Sequence, residues 1–313
     1  MLRHALWAAL AVCAVIASPA RAQNTVTITT AFGAGSAADI VARLLAIDFA
    51  PLLGQPVVVN NITGAAGTIA ANQVVRARPD GLTLLFTPIG PIAIQPNFMR
   101  NAGYVATDLV PICMVNRAPL IMMTPRNSGL RTLADVVARA RRERGDFAYG
   151  TTGVGTTPHL SMVMLARAAG IEMKHITYRG PADVMVAFTR GDVVLMNDHP
   201  SSIRANDLHP IATLDTVRFP DQPDVPTFRE EGYDLAMHIW HGLFAPRGTT
   251  EAQLQRFENA CAQSVRSEVM RVGHERIQTP IVHQGAAEFA RTVAADSARM
   301  RLIIDENHLR LAE

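Results

Sequence analysis

The sequence predicts an α/β chain folded as two lobes with a ligand cleft between them. Three observations predict it. Short β-branched runs alternate with longer helical patterns, as parallel strands covered by helices require. The alternation occurs in two separate series. In each series a Gly-, Ser- or Thr-rich loop follows a strand and precedes a helix, the place where open α/β sheets hold their ligands.

In the first series Thr25 to Thr30 reads as a strand, followed by a Gly-containing loop and a helix from Ala38 to Leu53. Val57 to Asn60 is a second strand, Gly64 to Gly67 a turn, and Thr68 to Arg78 a helix. Pro79-Asp80-Gly81 is a tight turn before a third strand, Leu82 to Thr87. In the second series Leu120 to Thr124 is a strand and Thr132 to Arg144 a helix, with Thr132 as N-cap and Asp135 in the capping-box position. Strand Phe147 to Thr151, loop 152–157, helix Pro158 to Ala169, strand Lys174 to Thr177, helix 181–190 and strand Val193 to Met196 follow. The crossings between lobes are expected near Val110 to Ala118 and Met237 to Ala245. Residues 250–313 read as helices returning to the first lobe. The expected division is therefore 23–115 plus 240–313 for lobe 1 and 116–239 for lobe 2.

Residues 1–22 read as a secretory signal. Arg3 and His4 open it, Ala5 to Ile16 is apolar, and Ala20-Arg21-Ala22 supplies a small-x-small cleavage pattern, placing the cut after Ala22 and the mature chain in the periplasm. The apolar run is shorter than the roughly twenty residues that span a bilayer. Lipidation at Cys13 fits less well, because bulky Val12 precedes it. Cleavage removes Arg3 and Arg21 and no acidic residue. It leaves 27 basic and 27 acidic residues, from 29 and 27 in the full chain. A neutral chain lacks the broad positive field that nucleic-acid binding needs. Cys113 and Cys261 remain; an exported compartment permits a bridge between them, and two separate thiols fit the sequence equally well.

No HExxH, P-loop or GxSxG pattern is present, and Gly33-Ala34-Gly35 lacks the later acidic partner of a dinucleotide fingerprint. The histidines, His199, His209, His238 and His241 among them, show no metal-ligand spacing, so neither a metal nor a cofactor is expected. Two loops carry the candidate chemistry: Ala31 to Asp39 and Thr151 to His159. Glycine lets several backbone N–H groups converge, the following helix adds unpaired N–H donors and a positive dipole end, and Ser36, Thr156 and Thr157 add hydroxyls. Such a site suits a carboxylate, although each loop alone reads equally as a turn and an N-cap. Asp39 fits either a polar ligand contact or a first-turn acid that favours the helix dipole. Thr87, Tyr178, Arg179 and Asp198 are further candidates at strand ends; Arg179 has the geometry to grip a carboxylate with two bonds, or to lie solvated on the surface.

Taken in order, these segments resemble the Bug-type solute receptors of tripartite tricarboxylate transporters across essentially the whole mature chain. The likeness rests on Gly33 through Arg43, where Asp39, Ala42 and Arg43 match the family's Gly-Gly-x-x-Asp-x-x-Ala-Arg. It rests also on Gly64-Ala65-Ala66-Gly67, on Pro79-Asp80-Gly81-Leu82-Thr83-Leu84-Leu85, and on the loop Gly150 to Leu160. Tyr178-Arg179-Gly180, Asp224-Val225-Pro226-Thr227 and Gly242-Leu243-Phe244-Ala245-Pro246 complete it. The resemblance implies a periplasmic binding protein of type II, the Venus-flytrap fold, without enzymatic activity or cofactor. It implies a small carboxylate ligand and delivery to membrane subunits of the transporter. By motif position the ligand contacts would be Phe32, Gly33 and Ser36 in the first loop and Thr152, Gly153, Thr156, Thr157 and His159 in the second. The chain departs from the family where Ala31, Gly33 and Ala34 stand in place of prolines, Ser36 in place of the second glycine, and Asn60-Asn61-Ile62-Thr63 in place of Glu-Asn-Arg-Pro. Uptake by a monomeric receptor is the leading expectation; presentation of the loaded receptor to a membrane sensor kinase is the alternative, and an α/β enzyme the third.

Overall fold

The computed structural model describes residues 24–310. The signal segment, its cleavage after Ala22 and Cys13 lie outside the described residues. The first series forms β1 (Val26–Thr30), α1 (Ala37–Leu53), β2 (Val57–Asn61), α2 (Thr68–Val75) and β3 (Thr83–Pro88). β1 lies between β2 and β3 and is parallel to both. α1 begins where the Ser36 hydroxyl accepts from the Asp39 N–H and ends at Gly54, whose left-handed φ of 59° only glycine adopts at little cost. Its apolar face, Val41, Leu45 and Phe49, is fully buried in one core with Ile28, Leu84 and Phe86 of the sheet.

After β3 a wide helical turn, Gly90–Ile94, runs into the short α3 (Gln95–Phe98), and β4 (Leu109–Pro125) follows. The second lobe is α4 (Leu133–Glu143), β5 (Ala148–Thr151), α5 (Thr157–Ala169), β6 (Lys174–Thr177), α6 (Pro181–Arg190), β7 (Met196–Asp198), α7 (Ser201–Ala205) and β8 (Leu208–Leu214). The expected capping box is formed: Thr132 Oγ1 accepts from the Asp135 N–H at 3.1 Å, and Asp135 Oδ2 accepts from the Thr132 N–H at 2.9 Å. β9 (His238–Pro246) leads back, and α8 (Glu251–Ser264), α9 (Glu268–Arg276), β10 (Ile281–Gly285) and α10 (Ala286–Glu306) pack on the first lobe. The tail is thus helical except for β10, a strand that joins the sheet.

The crossings themselves are strands. β4 runs for 17 residues and serves both lobes. Leu109–Pro119 pairs antiparallel with β9, and Leu120–Pro125 pairs with β8 on the same edge. On the opposite edge β10 pairs with Cys113–Asn116 and β7 with Ile121–Met123. Each edge of β4 therefore carries two strands end to end, one from each lobe. On the β8–β9 edge the Met237 N–H donates to the Leu214 carbonyl at 2.9 Å and closes the junction. Pro111 and Pro119 are accommodated because the pairing shifts register just after Pro111 and ends at Pro119.

Cys113 on β4 and Cys261 on α8 are both fully buried and form a disulfide that spans 148 residues of chain. A cross-link closing so long a loop constrains the unfolded chain strongly. Replacing both cysteines by serine is expected to lower the unfolding free energy by about 2–4 kcal/mol in urea denaturation. An unchanged midpoint would show that the bond does not contribute in the purified protein.

Candidate functional site

The first loop is braced from behind. Asp39, 3% exposed in the first turn of α1, accepts from the Gly35 N–H at 2.9 Å, from Asn61 Nδ2 at 2.8 Å and from the Arg43 guanidinium at 2.9 Å. Asn61 Nδ2 also donates to the Phe32 carbonyl at 2.9 Å. Burial alone would raise the Asp39 pKa, but the bonds from Arg43, Gly35 and Asn61 outweigh it and hold the carboxyl below its ordinary value. The carboxylate therefore works inside the loop, fixing Gly35 and, through Asn61, Phe32. Asn61 belongs to the Asn60–Thr63 stretch that departs from the family pattern, and it supplies this second brace.

The second loop is pinned by hydroxyls. Thr156 Oγ1 donates to the Gly153 carbonyl at 2.8 Å. Its proton is thereby used within the loop, where the sequence suggested a donor for a ligand. Thr156 is the N-cap residue of α5 and Thr157 its first residue; both are buried. His159 Nδ1 accepts from the Gly155 N–H at 3.1 Å, which places the proton of the neutral ring on Nε2. His159 stacks on His175 at 4.2 Å between centroids, and His175 on Tyr149 at 5.0 Å. Burial, with His175 alongside, depresses His159 to about 4, and burial depresses His175 to about 4. Both rings are neutral at pH 7.

The two loops converge through a third element. Ala31 packs beside Gly67, and Gly33 beside Thr63, so the first loop lies along the 63–67 turn. The same turn brings Ala66 against Gly153 of the second loop. Ala65 and Ala66 hold φ of 45° and 50°, a left-handed backbone that costs a non-glycine residue about 1 kcal/mol or more and collects at binding sites. From α3, Gln95 Nε2 donates to the Gly155 carbonyl at 2.8 Å, and the Phe98 ring meets His159 edge-on at 6.3 Å. The second loop is thus docked onto α3. Gln95 and Phe98 carry no motif that marks them in the sequence, and Ala66 belongs to the Gly64–Gly67 motif but was not named as a site residue.

Thr87 is fully buried at the end of β3, and its hydroxyl has no hydrogen-bond partner among the described residues. The Tyr178 N–H donates to the Thr151 carbonyl, which seats Tyr178 beside the second loop. Asp198 ends β7 and accepts from Ser202 Oγ at 2.6 Å; burial raises its pKa further than the bonds from Ser202 and the His199 N–H lower it. Arg179 is exposed, in a depression along α6 lined also by Thr177, Tyr178, Asp183, Val186, Ala187, Arg190 and Asp192, which no residue of Ala31–Asp39 or Thr151–His159 enters. No group of three or more His, Cys, Asp or Glu side chains among the described residues is arranged to hold a metal ion.

The family model described as "Tripartite tricarboxylate transporter family receptor" matches residues 41–309. The chain belongs to this receptor family. The receptor is 32% identical to the protein BugT of Bordetella pertussis over 225 residues, covering 70% of this chain and 69% of BugT. It is 28% identical over 320 residues to a UPF0065 protein of Cupriavidus necator, covering 99% and 98% of the two chains. Among solved structures it matches the periplasmic binding protein BugD with a TM-score of 0.84 at 26% identity, over 91% of this chain and 98% of BugD. It matches the R. palustris protein Rpa4515, determined with adipate, with a TM-score of 0.84 at 26% identity, over 91% and 97%. The fold is that of two-lobed periplasmic binding proteins.

Contact between the second loop of this receptor and α3 depends on a glycine. A β-carbon on Gly155 would stand 2.6 Å from Phe98 Cδ1 and 2.8 Å from Gln95 Nε2, at a φ of 72°. Gly155→Ala is expected to weaken solute binding at least about tenfold, roughly 1.4 kcal/mol, beyond its backbone cost to stability. Titration of the solute that co-purifies with the wild type checks this. Undiminished affinity would mean that the second loop does not dock on α3 in the bound state.

Proposed function

We propose that this receptor captures one small carboxylate-bearing solute between its lobes in the periplasm and hands it to the membrane subunits of a tripartite tricarboxylate transporter, without altering it chemically. One observation carries the reading. Two strand–loop–helix units, β1 to α1 and β5 to α5, converge on the 63–67 turn, and their loops contain neither lysine nor arginine. Converging N–H groups and helix starts favour an anion without a cationic clamp. The adipate in the related Rpa4515 structure supports a dicarboxylate as the class of solute.

In this reading the first loop offers Phe32, Gly33 and Ser36, held in place by Asp39. The second offers Thr152, Gly153, Thr157 and the Nε2–H of His159, with Thr156 fixing the loop. Thr87, Tyr178 and Asp198 line the strand ends around them. The lobe boundaries at 115/116 and 239/240 fall inside β4 and β9, so closure bends the paired strands. Cleavage after Ala22 releases the mature chain into the periplasm.

Mass spectrometry of the chain purified without unfolding is expected to release one carboxylate, returned unaltered after incubation with the protein. Calorimetric titration with that solute then separates the determinants. Thr156→Ala is expected to weaken binding about tenfold, roughly 1.4 kcal/mol, while Arg179→Gln changes it less than about twofold. Affinity should vary little between low and high salt, since contacts in a closed cleft are screened less than surface pairs. A large loss for Arg179→Gln beside an unimpaired Thr156→Ala would replace this account with an arginine clamp.

A further inference from the structure

The β7–β10 edge of β4 is joined differently from the β8–β9 edge. There the two lobes meet through a side chain. His199 directly follows β7, and Thr279 lies just before β10. His199 Nε2 and Thr279 Oγ1 are 2.9 Å apart, and both residues are buried. Thr279 donates its own proton to the Ile277 carbonyl at 3.1 Å, so the bond runs from a protonated Nε2 to the threonine oxygen. His199 Nδ1 lies 3.2 Å from Ser201 Oγ and accepts from it in the neutral ring.

Behind this bond lie two further buried imidazoles, both from the first lobe. His241 Nδ1 donates to Asn116 Oδ1 at 2.8 Å. Asn116 Nδ2 donates in turn to His274 Nε2 at 3.2 Å, and His274 Nδ1 donates to the Met270 carbonyl at 2.9 Å. The His199 and His241 rings are 6.4 Å apart, and Phe86 stacks on the other side of His241 at 6.0 Å. Two of these bonds need an unprotonated ring nitrogen, that of Ser201 to His199 Nδ1 and that of Asn116 to His274 Nε2; the bonds donated by the rings survive a proton. Among the described residues no carboxylate bonds any of the three rings. The charged groups on the surrounding elements are engaged or turned outward. Asp198 bonds Ser202, Arg117 bonds His238 at 3.1 Å, and Glu275 and Arg276 on α9 are exposed.

We propose that His199 is a proton-sensitive pin across the hinge: as a neutral ring it ties the second lobe to the first through Thr279 and holds the lobes in the arrangement seen here, and on protonation it releases them. The bond to Thr279 survives the proton, but the charge enters a buried site shared by both lobes beside His241 and His274, where the adjacent carboxyl, Asp198, is itself buried and shifted toward its neutral form. Hydrating the charge requires the lobes to part at this junction. Burial, with His274 nearby, depresses His199 to about 4, and burial, with His199 and His274, depresses His241 to about 3. The sign follows from linkage. The closed arrangement is fully favoured above the ordinary histidine pKa of about 6.5 and loses ground as pH falls toward 4. The consequence for solute release rests on the closing-cleft reading; the pin itself does not.

Hydrogen exchange on the full mature chain, without solute, tests the pin and is independent of what the receptor binds. Peptides covering 90–98, 151–157 and 277–282 report the interlobe contacts. After correction for intrinsic rates, wild-type exchange there is expected to rise at least about tenfold between about pH 7.5 and about pH 4. His199→Gln, which keeps a donor to Thr279 but does not titrate, should change less than about threefold. Thr279→Val should show the fast exchange already at neutral pH, with unchanged circular dichroism. An acid response of equal size in His199→Gln overturns the proposal, assigning the effect to His159, His175 or the carboxylates. So does a Thr279→Val chain that exchanges like wild type at both pH values, and that arm decides the matter if His199→Gln does not fold.

Discussion

Backbone hydrogen bonding along β4 sets the relation between the two halves of the molecule. A strand paired along one edge through Leu109–Pro125 and on the other at Cys113–Asn116 and Ile121–Met123 cannot be displaced sideways without breaking a ladder, yet it can twist. The two lobes therefore share one rigid element and retain one soft coordinate. Their strands abut end to end on either edge of β4, joined by Met237 to Leu214 on one side and by His199 to Thr279 on the other. The disulfide from Cys113 to α8 fixes the first-lobe part of this strand to its helical layer.

That arrangement bears on the proposal that loops without cations serve an anion. Neither loop is held by the ligand's own charge. Asp39, Arg43 and Asn61 shape the first, and Thr151, Thr156 and His159 shape the second, through bonds internal to each lobe. Once shaped, the loops need only be brought together, and the 63–67 turn with Gln95 does this. Preorganised N–H groups cost less to order on binding than long flexible side chains would. The strained φ at Ala65 and Ala66 is accepted where the turn must touch both loops.

Much of this was legible in the sequence because it is local. The strand–loop–helix units and the Thr132–Asp135 box depend on neighbours a few residues apart. β4 was not legible at full length: Leu109 to Pro125 is almost continuously apolar, contains three prolines and shows no alternation, so its ends could not be set. Cys113 and Cys261 could have been bridged or separate until the packing of α8 on the sheet was known. Gln95 and Phe98 lacked any signal, being an ordinary amide and an ordinary core aromatic whose role depends on the far lobe. The histidines were visible, but spacing said nothing of them, because His199, His241 and His274 meet only through the pairing of β7, β9 and β10 around β4. Asp39 was ambiguous in sequence for a physical reason: first-turn acid and loop brace are the same residue.

The central claim is that solute binding and docking of the second loop onto the first lobe are one event. Small-angle scattering of the receptor stripped of solute and then reloaded with the solute it carries through purification tests this most directly. The account predicts a smaller radius of gyration on loading, and no such change in Gly155→Ala. Equal radii for the stripped and saturated wild type would contradict it.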